Sequence, residues 1–80
     1  MKLSELKRGE SARIVRMDIE ENHLRGLISL GFSYGNEVVF ERNAPLGDPQ
    51  QYLVAGNYIA IRKEDSNRIE VEKIWRKLSF

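Results

Sequence analysis

Cysteine is absent from this chain of 80 residues, which removes disulfides, Cys-based zinc sites, iron–sulfur ligation and thiol catalysis in one step. Histidine is nearly absent too: His23 stands alone, so acid–base chemistry near neutral pH has one imidazole to draw on. No apolar run approaches the ~20 residues that span a bilayer. The opening MKLSELKRGE has charges but no apolar stretch behind them, unlike a secretory signal. An excess of either charge is missing as well, with 13 Lys plus Arg against 12 Asp plus Glu and a net charge of +1. A dedicated nucleic-acid binder needs a basic surplus on one face, so nucleic acid is not an expected partner. The expectation is a soluble cytoplasmic protein with no integral membrane segment.

What is present is an ordinary globular balance, 41% hydrophobic and 31% charged, in a length that supports one core. Without staples that core supplies a margin of only ~3–5 kcal/mol. Leu3 and Leu6, with Ser4 as a cap and Gly9 as a stop, suggest a single helical turn. Ser11 to Met17 reads as a strand whose alternation breaks, because Val15 and Met17 fall opposite Ala12 and Ile14 yet are also apolar. A strand bent across a small barrel accommodates that. Asn22 is a candidate N-cap for a helix starting at His23, with Leu24, Leu27 and Ile28 on one face and Gly31 as the stop.

Further along, Glu37 to Arg42 is rich in β-formers and Asn43 to Gln51 is a loop holding both prolines. Tyr52 to Val54 and Tyr58 to Arg62 flank Gly56-Asn57, a two-residue hairpin signal. After a turn at Glu64 to Asn67, Ile69 and Val71 alternate with Glu70 and Glu72. The sum is a mainly β domain of about five short strands and one short helix, economically folded as a bent barrel that removes its own edges.

Four stretches taken together, in order and at this spacing, carry a resemblance: LSELKRGESARIV, LRGLISLGFSYGNEV, APLGDP at Ala44 to Pro49, and VAGNYIAIRKEDSNRIEV. They resemble the FeoA family, small cytoplasmic companions of the ferrous-iron transporter FeoB. The resemblance implies a small SH3-like β-barrel over residues 1–72 and an accessory or regulatory role through contact with FeoB's cytoplasmic GTPase portion. Ser33-Tyr34-Gly35 departs from relatives that carry a proline before the glycine, which leaves this turn less rigid. Residues 73–80 lie beyond the family core. Ile74, Trp75 and Leu78 have helical spacing, so this C-terminal extension is expected to form a short amphipathic helix. Pairing between copies through an apolar tail is a further expectation.

For the motif positions Gly31, Gly35, Pro45, Gly47, Asp48, Pro49 and Gly56 the first role is structural, shaping turns. Two readings stay open for the loop, a stiff turn or a contact surface, since Leu46 at its tip has little reason to be apolar unless covered. Candidate partner-binding residues are Leu24, Leu27, Leu46, Tyr52 and Trp75. His23 near Asp18, Glu20 and Glu21 has ligand types that suit ferrous iron, but neighbours in a turn seldom converge on one ion. Metal ligands and cofactors are therefore not expected. Nor is an enzyme: there is no Gly-rich phosphate loop and no nucleophile elbow. The alternative is a stand-alone regulatory module similar to the C-terminal SH3-like domain of DtxR-type metal-responsive repressors.

Overall fold

The computed structural model describes residues 1–75. A single 3₁₀ turn (Leu3–Glu5) leads into β1 (Ser11–Met17), α1 (Glu21–Ser29), β2 (Glu37–Asn43), β3 (Gln50–Val54), β4 (Asn57–Ile61), α2 (Lys63–Ser66) and β5 (Ile69–Lys73). All strands pair antiparallel in one sheet of order β4-β3-β2-β1-β5. The two end strands do not pair with each other, so the expectation of a sheet without edges fails. One edge is closed by the chain's own start: Lys2 bridges Glu70, the Met1 ammonium donates to the Val71 carbonyl at 3.1 Å, and the Val71 N–H donates back to Met1 at 2.8 Å. Among the described residues the outer edge of β4 has no such cover.

The broken alternation in β1 has a local cause. Its register against β5 shifts between Ile14 and Arg16, so Val15 is the extra residue of a bulge. One added residue inverts the phase of the rest of the strand, which buries Met17 and leaves Val15 exposed. A second shift lies between Phe40 and Arg42 on β2. Bulges in β1 and β2, the two longest strands, let the sheet bend round one core. On the outer face the charges are matched, with Arg13 opposite Glu37 and Glu72, and Arg16 opposite Glu70.

At the centre of the core is Tyr52 on β3, fully buried. Its ring meets Phe32 edge-on at 6.1 Å and Phe40 at 5.4 Å, contacts worth ~0.5–1.5 kcal/mol each beyond area burial. Its hydroxyl lies 3.0 Å from Gln50 Oε1 and 3.3 Å from the Leu3 carbonyl. Ser66 on α2 donates to the same Gln50 oxygen at 2.7 Å. Gln50 and Ser66 are the buried polar residues of the core, and each satisfies the other. Among the described residues no buried side-chain polar atom lacks a partner. Burial pushes the Tyr52 phenol up to about 12, partly offset by its neighbour Ser66.

α1 starts two residues earlier than expected. Glu20, not Asn22, is the cap: its carboxylate accepts from the Asn22 and His23 N–H groups at 3.1 and 3.2 Å, placing negative charge at the positive end of the helix. The end is as expected. Gly31 (φ 102) donates to the Ile28 carbonyl at 3.0 Å, and Phe32 reaches back to Leu27 at 2.9 Å, a Schellman closure with Phe32 and Leu27 both buried in the core. Asn36 Nδ2 donates to the Gly31 carbonyl and to Ser33 Oγ, which holds the Ser33–Gly35 turn without a proline.

Three further expectations change. Ser4 does not cap the first turn; Glu5 accepts from the Lys2 N–H at 2.7 Å, and the Ser4 hydroxyl bonds Asn67 Oδ1 instead. The β3–β4 hairpin turns on Ala55-Gly56, not Gly56-Asn57: Val54 pairs Asn57, and φ is +50 and +81 at the two central residues, as a type I′ turn requires. The predicted tail helix does not begin at residue 73, because Lys73 ends β5 and the Ile74 N–H donates to the Ser11 carbonyl at 2.9 Å. Lys73 is tied further by Glu10, which it pairs with, and by the Trp75 ring at 4.3 Å. The Lys73 ammonium and the Lys7 N–H hold the Glu10 carboxyl below its usual value. The rest of the predicted helix, residues 76–80, lies outside the described residues.

The core yields two tests. Tyr52→Phe keeps the rings but leaves the Leu3 carbonyl and Gln50 short of a donor, so chemical denaturation at pH 7 should show a loss of about 1–2 kcal/mol. A phenol with a raised folded pKa stabilises fully below its unfolded pKa near 10 and loses that contribution as pH rises towards about 12. Wild-type stability should therefore fall more steeply than that of Tyr52→Phe across this window. Gly31→Ala forces a side chain into positive φ, with its Cβ 3.1 Å from that of Ala55. It should cost about 1–3 kcal/mol in the same assay.

Candidate protein-contact surface

The loop 44–49 leaves β2 and re-enters β3 across the Asn43–Gln50 pair, so its ends are fixed by the ladder. Inside it, the Gly47 N–H donates to Ala44 at 2.7 Å and the Ala44 N–H to Pro49 at 2.9 Å. These bonds make Pro45 and Leu46 the central residues of a turn, with Pro45 where its fixed φ suits a type I or II geometry. Asp48 precedes a cis bond to Pro49, and its carboxylate accepts from the Lys63 N–H at 3.0 Å, tying the loop to the start of α2. Asp48, Pro49 and Arg62 line a shallow recess of about 220 Å³. At the tip Leu46 is 96% exposed. A fully exposed leucine on a loop held at both ends and at its waist is a pre-ordered apolar contact, since little entropy remains to be lost when it is covered.

The five candidate contact residues do not form one surface. Leu27 is buried under α1 and Tyr52 is the hub of the core, so neither presents anything to a partner; the helical and strand periodicities that single them out are core signals. Leu24 is half-buried against the core. Leu46 and Trp75 remain outside, Trp75 at 81% exposure. Exposed apolar side chains missing from the sequence-based set are Met1, Val15, Ile28, Leu30, Tyr34 and Tyr58. Tyr58 is legible in the sequence, because Ile59 and Ile61 claim the inner face of β4 and so turn it outward.

The carboxylate-rich side of the molecule holds two recesses of about 380 Å³ each. Arg16, Asp18, Asn67, Arg68 and Glu70 line one; Ile19, Glu20, His23, Glu64, Asp65 and Arg68 line the other. His23 Nε2 lies 2.9 Å from Asp65 Oδ2, and Glu20 is engaged as the helix cap. Among the described residues no three His, Asp or Glu side chains come together as ligands would. The perturbed acids, Tyr52 and Glu10, both serve structure and neither lines a recess. Both recesses present charges of both signs.

A family model for the FeoA domain matches residues 1–73. The chain belongs to the FeoA family. Its likeness to an Fe(2+) transport protein A/Fe(2+) transporter FeoB fusion protein of Porphyromonas gingivalis is 36% identity over 74 residues, covering 92% of this chain but only 9% of that protein. Among solved structures, FeoA from Chlorobium tepidum superposes with a TM-score of 0.90 at 35% identity, over 94% of this chain and 71% of that one. FeoA from Stenotrophomonas maltophilia, a procaryotic SH3 domain protein solved with zinc, gives 0.74 at 33% identity, over 90% and 89%. The mainly β, SH3-like class is thus established for this FeoA-family chain. A manganese-dependent transcriptional repressor at 15% identity and TM-score 0.80 shares the fold alone, over 92% of this chain and 41% of that one.

The contrast between tip and core gives a direct test. Leu46→Ser should leave the unfolding free energy within about 0.5 kcal/mol of wild type. Leu27→Ala, which empties a packed site, should cost about 2–5 kcal/mol.

Proposed function

We propose that this FeoA-family domain is a non-enzymatic accessory and regulatory protein of ferrous iron uptake, acting by contact with the cytoplasmic GTPase portion of a FeoB-type transporter. The observation that carries the reading is Leu46, an apolar side chain almost wholly exposed at the tip of a loop closed by its own backbone hydrogen bonds and tied to α2 through Asp48. Support of a different kind comes from the Porphyromonas gingivalis relative, in which transport protein A and FeoB share one chain. No helix among the described residues is long and apolar enough to cross a membrane; on this reading the domain sits on the cytoplasmic side because the GTPase portion lies there.

The mechanism is differential binding. A domain that contacts one conformation of the GTPase portion more tightly shifts its population towards that state, by no more than the difference in the two affinities. A tenfold preference corresponds to about 1.4 kcal/mol, within reach of one well-seated leucine. The FeoB-type cytoplasmic portion, immobilised, should retain this domain, and Leu46→Asp should weaken retention about tenfold or more while leaving the fold intact. GTP hydrolysis by that portion should change when the domain is added. Equal retention of wild type and Leu46→Asp removes the loop from the contact; no retention with or without guanine nucleotide removes the function.

A further inference from the structure

The two edges of the sheet are treated differently. That of β5 is covered by Met1 and Lys2, while β4 (NYIAI) ends the sheet. In a two-residue hairpin the closing pair, here Val54 and Asn57, exchanges both backbone hydrogen bonds. Alternation then assigns Ile59 and Ile61 to the bonds with β3, so the N–H and C=O groups of Tyr58 and Ala60 point away from the sheet. Among the described residues no backbone group beyond β3 meets them. Proteins commonly blunt such an edge with lysine, proline or a bulge. β4 has none of these, and its bulges lie on β1 and β2 instead.

One row of the outer face beside this edge is apolar as well. Tyr58, 62% exposed, stands opposite Leu53, which stands opposite Val39. No charge interrupts that row, nor any position of β4. We propose that β4 is a self-pairing edge, whose occupant is β4 of a second copy of this chain. Antiparallel pairing about a two-fold axis at Ile59 sets Tyr58 of each copy opposite Ala60 of the other. Those are the two residues with outward backbone groups, so each of the two Tyr58–Ala60 pairs exchanges two hydrogen bonds. The side chains fit the same register: on the outer face a large ring sits beside a methyl group, twice, and the Tyr58–Leu53–Val39 row of each copy runs on into Ala60 of the other and, behind it, Gln51. Self-complementarity of this kind is what an isologous contact needs, and an uncharged strip favours its own copy over a charged segment. The interface is small, so the association is weak, with a dissociation constant between about 10 µM and about 1 mM.

The test is sedimentation velocity on the full chain from about 10 µM to about 2 mM, joined to amide hydrogen exchange at both ends of that range. The expected result is a monomer moving to a dimer, with the Tyr58 and Ala60 amides slowing about tenfold or more at high concentration. Ala60→Lys should stay monomeric throughout, and its circular dichroism melt reports whether it folds; should it not fold, Tyr58→Lys takes its place with the same expectation. A wild-type chain that stays monomeric, a dimer that leaves those amides unprotected, or a folded edge-lysine variant that dimerises like wild type would each overturn the proposal. So would an edge protected only when the transporter's cytoplasmic portion is added, which gives β4 to that partner.

Discussion

Tyr52 holds the rest of this molecule in register. Its ring fills the space between Phe32, which follows α1, and Phe40 on β2, and its hydroxyl reaches both the first turn and Gln50. Through Gln50 the same network takes in Ser66 on α2. Segments far apart in sequence thus meet at one buried side chain, in a domain whose total stability is only a few kcal/mol. Burying a phenol is favourable only where its hydroxyl is satisfied, so the polar network and the apolar packing depend on each other.

From that hub the surface loop inherits its rigidity. Gln50 and Tyr52 lie on the strand that receives the loop 44–49, and α2, which carries Ser66, begins at Lys63, whose N–H binds Asp48. Both ends of the loop are therefore anchored to elements that the core network positions. Leu46 is left as the one part with nothing to pack against. The proposed function rests on this division: a fixed scaffold, and an apolar tip that none of the described residues covers.

Much of this is legible in the sequence alone. β1 reads as Ser11 to Met17, its observed limits, and the other strands read to within about two residues, because buried β-branched residues alternate with charged ones. The family and its SH3-like fold are carried by four motifs in order. The differences have identifiable causes. Ala55 takes a left-handed conformation that alanine seldom adopts, so the hairpin signal points one residue late. Glu20 caps α1 although glutamate is not a preferred cap. Tyr52 looks like a binding aromatic because sequence shows a tyrosine's polar handle but not the Gln50 and Leu3 groups that satisfy it inside. Leu46 reads correctly as outside, since no periodicity gives it a core to face.

The central claim is that a rigid scaffold presents the loop 44–49 as its contact with the transporter. Backbone amide chemical shifts of the labelled domain, followed as the cytoplasmic portion of a FeoB-type transporter is added, test it most directly. The account predicts changes concentrated at Ala44 to Gln50 and the adjoining start of α2, with Tyr52, Phe32 and Phe40 unmoved. Changes centred on the carboxylate-rich recesses around His23 and Arg68, with the loop silent, would contradict it.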